Sequence, residues 1–81
     1  MDLDATSNRY QPKRPAFGAW LLGQAHRGGL IGSLATAAST DRAFPKGGSP
    51  EDVRARLRAI MADGDMFEAV DDAELAWAGE A

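Results

Sequence analysis

Few residues in this 81-residue chain have side chains suited to chemistry. His26 is the only histidine and there is no cysteine, so a metal site or a nucleophile–base pair would lack the partners it needs. The acidic run that begins at Asp63 does not match a calcium-binding loop, because the sixth position, a glycine in such loops, is Glu68. We therefore expect no catalytic residue, no metal site, no cofactor and no small-molecule substrate, and a chain that is not an enzyme.

Basic side chains cluster in and before the predicted third helix. Arg54 and Arg58 are four residues apart and thus neighbours on one side of a helix, whereas Arg56 lies on the other flank. With Lys46 in the preceding loop they form a candidate basic surface. Three partners suit it: the acidic fourth helix of the same chain, phosphate groups, or the acidic helix of another subunit. We expect internal or solvent-screened pairing, which contributes less than about 1 kcal/mol per surface pair.

The acidic side chains concentrate at the other end of the chain. Residues 1–60 carry all nine Lys and Arg with five acids, whereas residues 61–81 carry seven acids and no basic residue. Four of these acids form the candidate acidic surface, which consists of Glu68, Asp71, Asp72 and Glu74. Surfaces of opposite charge steer association. This split predicts binding to another protein or head-to-tail association with a second copy.

Apolar spacing predicts the elements that position these charges. Phe17, Trp20, Leu21 and Gln24 recur with helical period, which predicts a first helix from just after Pro15 to about His26. The glycine pair 28–29 should break it, and a second helix should open at Leu30 or Ile31. Its buried stripe is expected to contain Ile31, Leu34, Ala35 and Ala38. Phe44, in the Pro- and Gly-containing loop that follows, is expected to fill the core.

The third helix has the clearest start. Ser49, Pro50 and Asp52 have the types and spacing of a capped N-terminus with a capping box. We expect Gly64 to end this helix and Asp65 to begin a fourth that runs to about Ala78. The expected buried stripes comprise Val53, Leu57, Ile60 and Met61 on the third helix, and Met66, Val70, Ala73 and Trp77 on the fourth. Leu75 falls outside the stripe, and Trp20 and Trp77 are expected to be mostly buried.

These elements predict one small domain. No alternating strand pattern of useful length occurs, so the fold class is all-α: a compact bundle of four or five short helices. Residues 1–15 are read as a flexible basic and polar tail, residues 16–78 as the helical domain and residues 79–81 as its C-terminal end. No apolar run is long enough for a membrane span, and the N-terminus does not resemble a secretory signal. We expect a cytoplasmic protein with no membrane partner.

Four short segments occur in order along the chain: Phe17-x-x-Trp20-Leu21-Leu22-x-Gln24, Ile31-Gly32-x-Leu34-Ala35, Asp41-x-x-Phe44-Pro45 and Ala76-Trp77. Together they resemble the YozE-like family of small bacterial proteins. The resemblance covers residues 16–78 and implies a helical fold similar to the sterile alpha motif. It implies no activity and no family catalytic residues. The arginine-rich third helix and the basic tail depart from the family pattern.

Two functions follow as expectations. The first is a non-catalytic protein-interaction module that binds a protein or a second copy of itself through the charged surfaces. The alternative is nucleic-acid binding by the basic tail and the arginine-rich third helix. A net charge of −3 and an isoelectric point near 4.9 argue against the alternative, because duplex-binding domains are usually strongly basic.

Overall fold

Four α-helices and one short 3₁₀ turn make up the fold. The structure is a computed structural model, and it describes residues 15–80, in which there is no strand. The elements are α1 (Phe17–Leu22), a 3₁₀ turn (Ala25–Arg27), α2 (Gly29–Ser39), α3 (Pro50–Ala59) and α4 (Gly64–Glu80). The all-α prediction is confirmed. The predicted tail lies outside the described residues except for Pro15, and the C-terminal end continues α4 through Glu80.

The first helix is shorter than predicted. It ends at Leu22, and the side-chain amide of Gln24 donates a hydrogen bond of 3.0 Å to the carbonyl oxygen of Trp20. The same carbonyl oxygen also accepts from the backbone N–H of Gly23 at 3.0 Å, so two hydrogen bonds close the end of the helix. The chain then makes the 3₁₀ turn, and Gly28 reverses it with φ of 73°. Of the two glycines predicted to break the helix, only Gly28 lies between helical segments. Gly29 is already the first residue of α2, which thus begins one or two residues earlier than predicted.

The start of α3 is as predicted, but its end is not. The hydroxyl of Ser49 accepts from the backbone N–H of Asp52, whose carboxylate accepts from the N–H of Ser49. The helix stops at Ala59, and the chain turns at Met61 with φ of 56°. Gly64, expected to end α3, begins α4 instead.

One core joins all four helices. Its fully buried large side chains come from every helix and are Phe17, Leu21, Leu34, Val53 and Val70. Phe44 is also buried, so the prediction that this loop residue fills the core is confirmed. Ile60 and Met61 are exposed, and their predicted place in the buried stripe is wrong because the helix has ended before them.

The two tryptophans cover one end of the core. Both are partly buried, and their rings lie 6.0 Å (Trp20) and 5.5 Å (Trp77) from that of Phe17. The indole N–H of Trp77 donates to the carbonyl oxygen of Pro15 at 2.8 Å. This bond fastens the start of the described chain to α4.

The loop before α3 packs closely on α1 at a glycine. The N–H of Gly18 donates to the carbonyl oxygen of Gly48 at 3.1 Å. A Cβ at Gly18 would overlap the carbonyl oxygen of Pro45 and lie 2.9 Å from that of Lys46. Only a residue without a side chain permits this approach, which also positions Phe44 and Lys46.

We predict that Gly18→Ala lowers the free energy of unfolding by about 2 kcal/mol, because overpacking against backbone atoms forces the loop to move. Gly79→Ala is the matched control, since a Cβ there meets nothing within 4 Å. Its stability should be unchanged or up to about 1 kcal/mol higher, because alanine favours a helix over glycine. Urea unfolding measures both. Equal stability of the two variants would contradict the close approach.

Candidate functional site

Arg54 of α3 pairs with three carboxylates, two of which lie on α4. One of its terminal nitrogens lies 2.7 Å from a carboxylate oxygen of Asp71 and 2.8 Å from one of Glu74. The other terminal nitrogen pairs with Glu51, one turn earlier on α3. The hydrogen bonds to Glu74 and Asp71 raise the pKa of Arg54. This arginine therefore belongs to the fold, where it offsets the negative charge of α4.

Arg56 binds the loop on the opposite flank of α3. Its Nε and a terminal nitrogen donate to the two carboxylate oxygens of Asp41 at 2.9 and 2.8 Å, a two-bond contact that fixes both groups. Asp41 also accepts from the N–H of Ala43. The hydrogen bond from Arg56 is the main cause that lowers the pKa of Asp41. Burial opposes it, and the hydrogen bond from Ala43 makes a smaller contribution that also lowers the pKa.

The predicted basic surface is thus divided. Arg54 and Arg56 are held in ion pairs within the chain, as the internal-pairing interpretation expects. Lys46 and Arg58 are exposed and form no ion pair with any residue in the range 15–80, and the same is true of Arg42. Arg42 and Lys46 lie on the loop before α3, whereas Arg58 lies on α3 itself. These three cations therefore do not form the continuous basic surface that the sequence predicts.

The predicted acidic surface is divided in the same way. Asp71 and Glu74 face Arg54, whereas Glu68 and Asp72 are exposed and have no ion pair within the described chain. Asp65 is also exposed and has no ion pair within the described chain. Positions 65, 68, 72 and 75 lie on one side of a helix because they are spaced by three or four residues. We call this stripe, consisting of Asp65, Glu68, Asp72 and Leu75, the α4 outer face.

Leu75 gives the α4 outer face an apolar side chain in water. It is 75% exposed, one of three exposed large apolar residues in the part of the chain that the structure describes. A shallow groove of about 430 Å³ lies beside it, lined by Arg54, Asp71, Glu74, Leu75 and Ala78. The helical period had placed Leu75 outside the buried stripe, but spacing alone could not show which of the carboxylates around it pair with Arg54.

The other charged residue of note is Arg27, which supports the end of α4. It pairs with Glu80, donates from Nε to the side-chain oxygen of Gln24 at 2.8 Å, and its guanidinium carbon lies 5.5 Å from the centre of the Trp20 ring. Because α4 has no basic residue in its last turn, Arg27 supplies the positive charge that the carbonyl end of a helix favours.

The described residues do not assemble a set of converging polar groups. None of the buried residues in the range 15–80 is polar or charged, and no three metal-ligating side chains there come together. His26 is exposed in the 3₁₀ turn, where its Nδ1 lies 3.1 Å from the carbonyl oxygen of Gly23. No helix in that range combines the length and apolar character needed to cross a membrane.

Comparison with known proteins gives no match: no family model, no curated protein and no solved structure is similar to this chain. The resemblance to the YozE-like family stays a prediction.

We predict that Arg56→Gln raises the pKa of Asp41 toward the usual range, because the main cause of its depression is removed. A depressed carboxyl pKa adds stability above its unfolded value, near pH 4, and that stability is lost as the pH falls through the folded value. The variant should therefore lose stability at neutral pH and show a weaker dependence on pH below about 4. Carboxyl ¹³C NMR measures the pKa directly. The control Arg58→Gln should leave the Asp41 titration unchanged; an equal rise in both variants would contradict the assigned cause.

Proposed function

We propose that this chain is a non-catalytic protein-interaction module whose α4 outer face binds a positively charged protein. The observation that carries the proposal is that three carboxylates without an ion pair among residues 15–80 share one helix face with the exposed Leu75. Interfaces commonly place an apolar anchor among polar groups that set orientation and partner choice. A basic partner with an apolar side chain matches both features.

Electrostatics favours such a partner. Glu68 and Asp72 are four residues apart, and like charges at this spacing repel each other and destabilise a helix by a few tenths of a kcal/mol. Arg54 does not relieve this repulsion because it is occupied by Asp71 and Glu74. A cationic surface that docks on the outer face would relieve it and would be steered there by the field of α4.

The positive charge has two protein sources. One is a different protein of the same cell. The other is a second copy, in which Lys46, Arg42 and Arg58 have no ion pair with any described residue. The second source is the head-to-tail association expected from the charge split. Either partner would bind the same α4 outer face. We also propose a cytoplasmic location.

Nucleic-acid binding receives less support from the arrangement. Two of the three arginines of the predicted basic edge, Arg54 and Arg56, are neutralised by carboxylates of the chain itself. The remaining cations are few, and the counterion release that drives binding to phosphates scales with their number. The basic tail lies outside the described residues, so this alternative stays a prediction.

We predict that the immobilised chain retains a basic protein from extract of the source cell at about 50 mM salt and releases it at about 300 mM, because screening weakens attraction between exposed charges. Glu68→Gln combined with Asp72→Asn should abolish retention, and Leu75→Ser should reduce it about tenfold, as for an apolar anchor worth somewhat over 1 kcal/mol. Mass spectrometry identifies the protein, and titration with the purified partner measures the affinity.

The control is Met61→Ser, which removes an apolar side chain that is even more exposed than Leu75 and lies away from the α4 outer face. It should retain the partner as the unchanged chain does. Equal retention by all variants would contradict the proposal. Loss of retention on nuclease treatment, together with binding of a random duplex at low salt, would favour the nucleic-acid alternative instead.

A further inference from the structure

The corner between α3 and α4 exposes two large apolar side chains beside an apolar groove. Met61 is 87% exposed and Ile60 49% exposed. The groove encloses about 340 Å³, within the range of pockets that bind small ligands. Its apolar lining comes from three helices and the turn between α3 and α4: Leu34, Ala38, Leu57, Ile60, Ala62 and Met66.

The backbone at this corner is unfavourable for the residue it carries. The N–H of Ala62 donates to the carbonyl oxygen of Leu57 at 3.0 Å, and that of Met61 to the carbonyl oxygen of Arg58 at 3.1 Å. These two bonds define a Schellman motif, in which the residue with positive φ is usually glycine. A side chain at this position is strained. An exposed methionine held there at the expense of local stability indicates a role in contact, since such departures cluster at binding sites.

We propose that this corner binds the same corner of a second copy, forming a dimer with two-fold symmetry in which each Met61 enters the groove of the other subunit. Met61 lies in sequence between two groove residues, Ile60 and Ala62, so it borders the groove without filling it. A protruding side chain next to a groove is the arrangement that a two-fold contact requires, because each copy then supplies both parts. Methionine also adapts its shape to irregular apolar surfaces.

The charges around Met61 favour a second copy over a strongly acidic or basic partner. Arg58 precedes Met61 by three residues and Asp63 follows it by two; both are exposed, and neither has an ion pair within the described chain. Charges of opposite sign on the two sides of Met61 are self-complementary, since two-fold symmetry brings Arg58 of one copy toward Asp63 of the other. The remaining pair in the groove, Asp41 and Arg56, is already neutralised internally.

This contact is separate from the α4 outer face and does not depend on the function proposed for it. The two contacts respond differently to salt. Attraction between the acidic outer face and a basic partner weakens as salt rises. The corner contact should keep most of its affinity at high salt, because the burial of apolar surface is not screened and only its Arg58–Asp63 pairs weaken.

Sedimentation equilibrium of the full chain from about 10 μM to about 1 mM tests the dimer. The high concentrations are needed because an interface formed by one side chain and one groove binds weakly. The unchanged chain should show a monomer–dimer equilibrium that persists at high salt. Met61→Gly should weaken dimerisation about tenfold or more. In dilute solution the same variant should unfold at a higher urea concentration, because glycine relieves the strained backbone. A gain in monomer stability with a loss of association excludes simple misfolding.

Two further variants fix the geometry of the contact. Arg58→Asp should weaken the dimer, and adding Asp63→Arg should restore it, because reversal of both charges recreates the pair across the two-fold axis. Circular dichroism checks that both keep their helix content. Leu75→Ser, an equally drastic change on the α4 outer face, should leave dimerisation unchanged.

Three results would overturn the dimer proposal: a monomer at about 1 mM, association that Met61→Gly does not weaken, or association that Leu75→Ser and high salt abolish. The last result would favour head-to-tail association through the α4 outer face, and would thus support the function proposed above while removing this contact. Conversely, a salt-resistant dimer sensitive to Met61 stands even if no basic partner is found.

Discussion

The fold depends on neutralising a helix that carries only negative charge. Helix α4 contains six acidic residues and no basic one, yet its opposite face packs Ala69, Val70 and Ala73 into the core. Apolar burial holds the helix in place, but repulsion along its length opposes its formation. Arg54 from α3 and Arg27 from the 3₁₀ turn supply positive charge at the middle and the carbonyl end. Both arginines come from other elements, so α4 depends on the tertiary fold.

The carboxylates of α4 fall into two groups. Asp71 and Glu74 pair with Arg54, whereas Asp65, Glu68 and Asp72, on the side of Leu75, have no ion pair with any residue in the range 15–80. A domain this small has a limited core, and every large apolar side chain left in water lowers the stability it can reach. Leu75 and Met61 are such side chains, and each lies on one of the two surfaces proposed above to bind a partner.

Local sequence signals predicted the elements well where one residue type acts on its own backbone. Ser49, Pro50 and Asp52 fixed the start of α3, and Gly28 the break before α2, because capping and positive φ are local effects. The end of α3 was not predicted, because it is set by tertiary packing and not by a local signal. Gly64 is the residue that usually stops a helix, but the chain turned three residues earlier at Met61, where packing of Ala62 against the core outweighed the preference for glycine.

The charged surfaces were predictable in composition but not in pairing. The charge split identified the relevant residues, yet Arg56 and Asp41 are fifteen positions apart, and their contact depends on how the loop before α3 folds back on that helix. Likewise, helical spacing showed that Arg54 and Arg58 are neighbours but not that only Arg54 reaches α4. Such choices depend on the angle between helices, which no local pattern encodes.

The most direct test of this account compares two neutralised pairs on α4 by urea unfolding at low salt. Asp71→Asn combined with Glu74→Gln should lower the free energy of unfolding by about 1 kcal/mol, because Arg54 loses its partners on α4. Glu68→Gln combined with Asp72→Asn should leave it unchanged or raise it slightly, because only repulsion is removed. Equal losses for the two pairs, or a loss confined to the second, would contradict the division of α4 into a structural side and a free side.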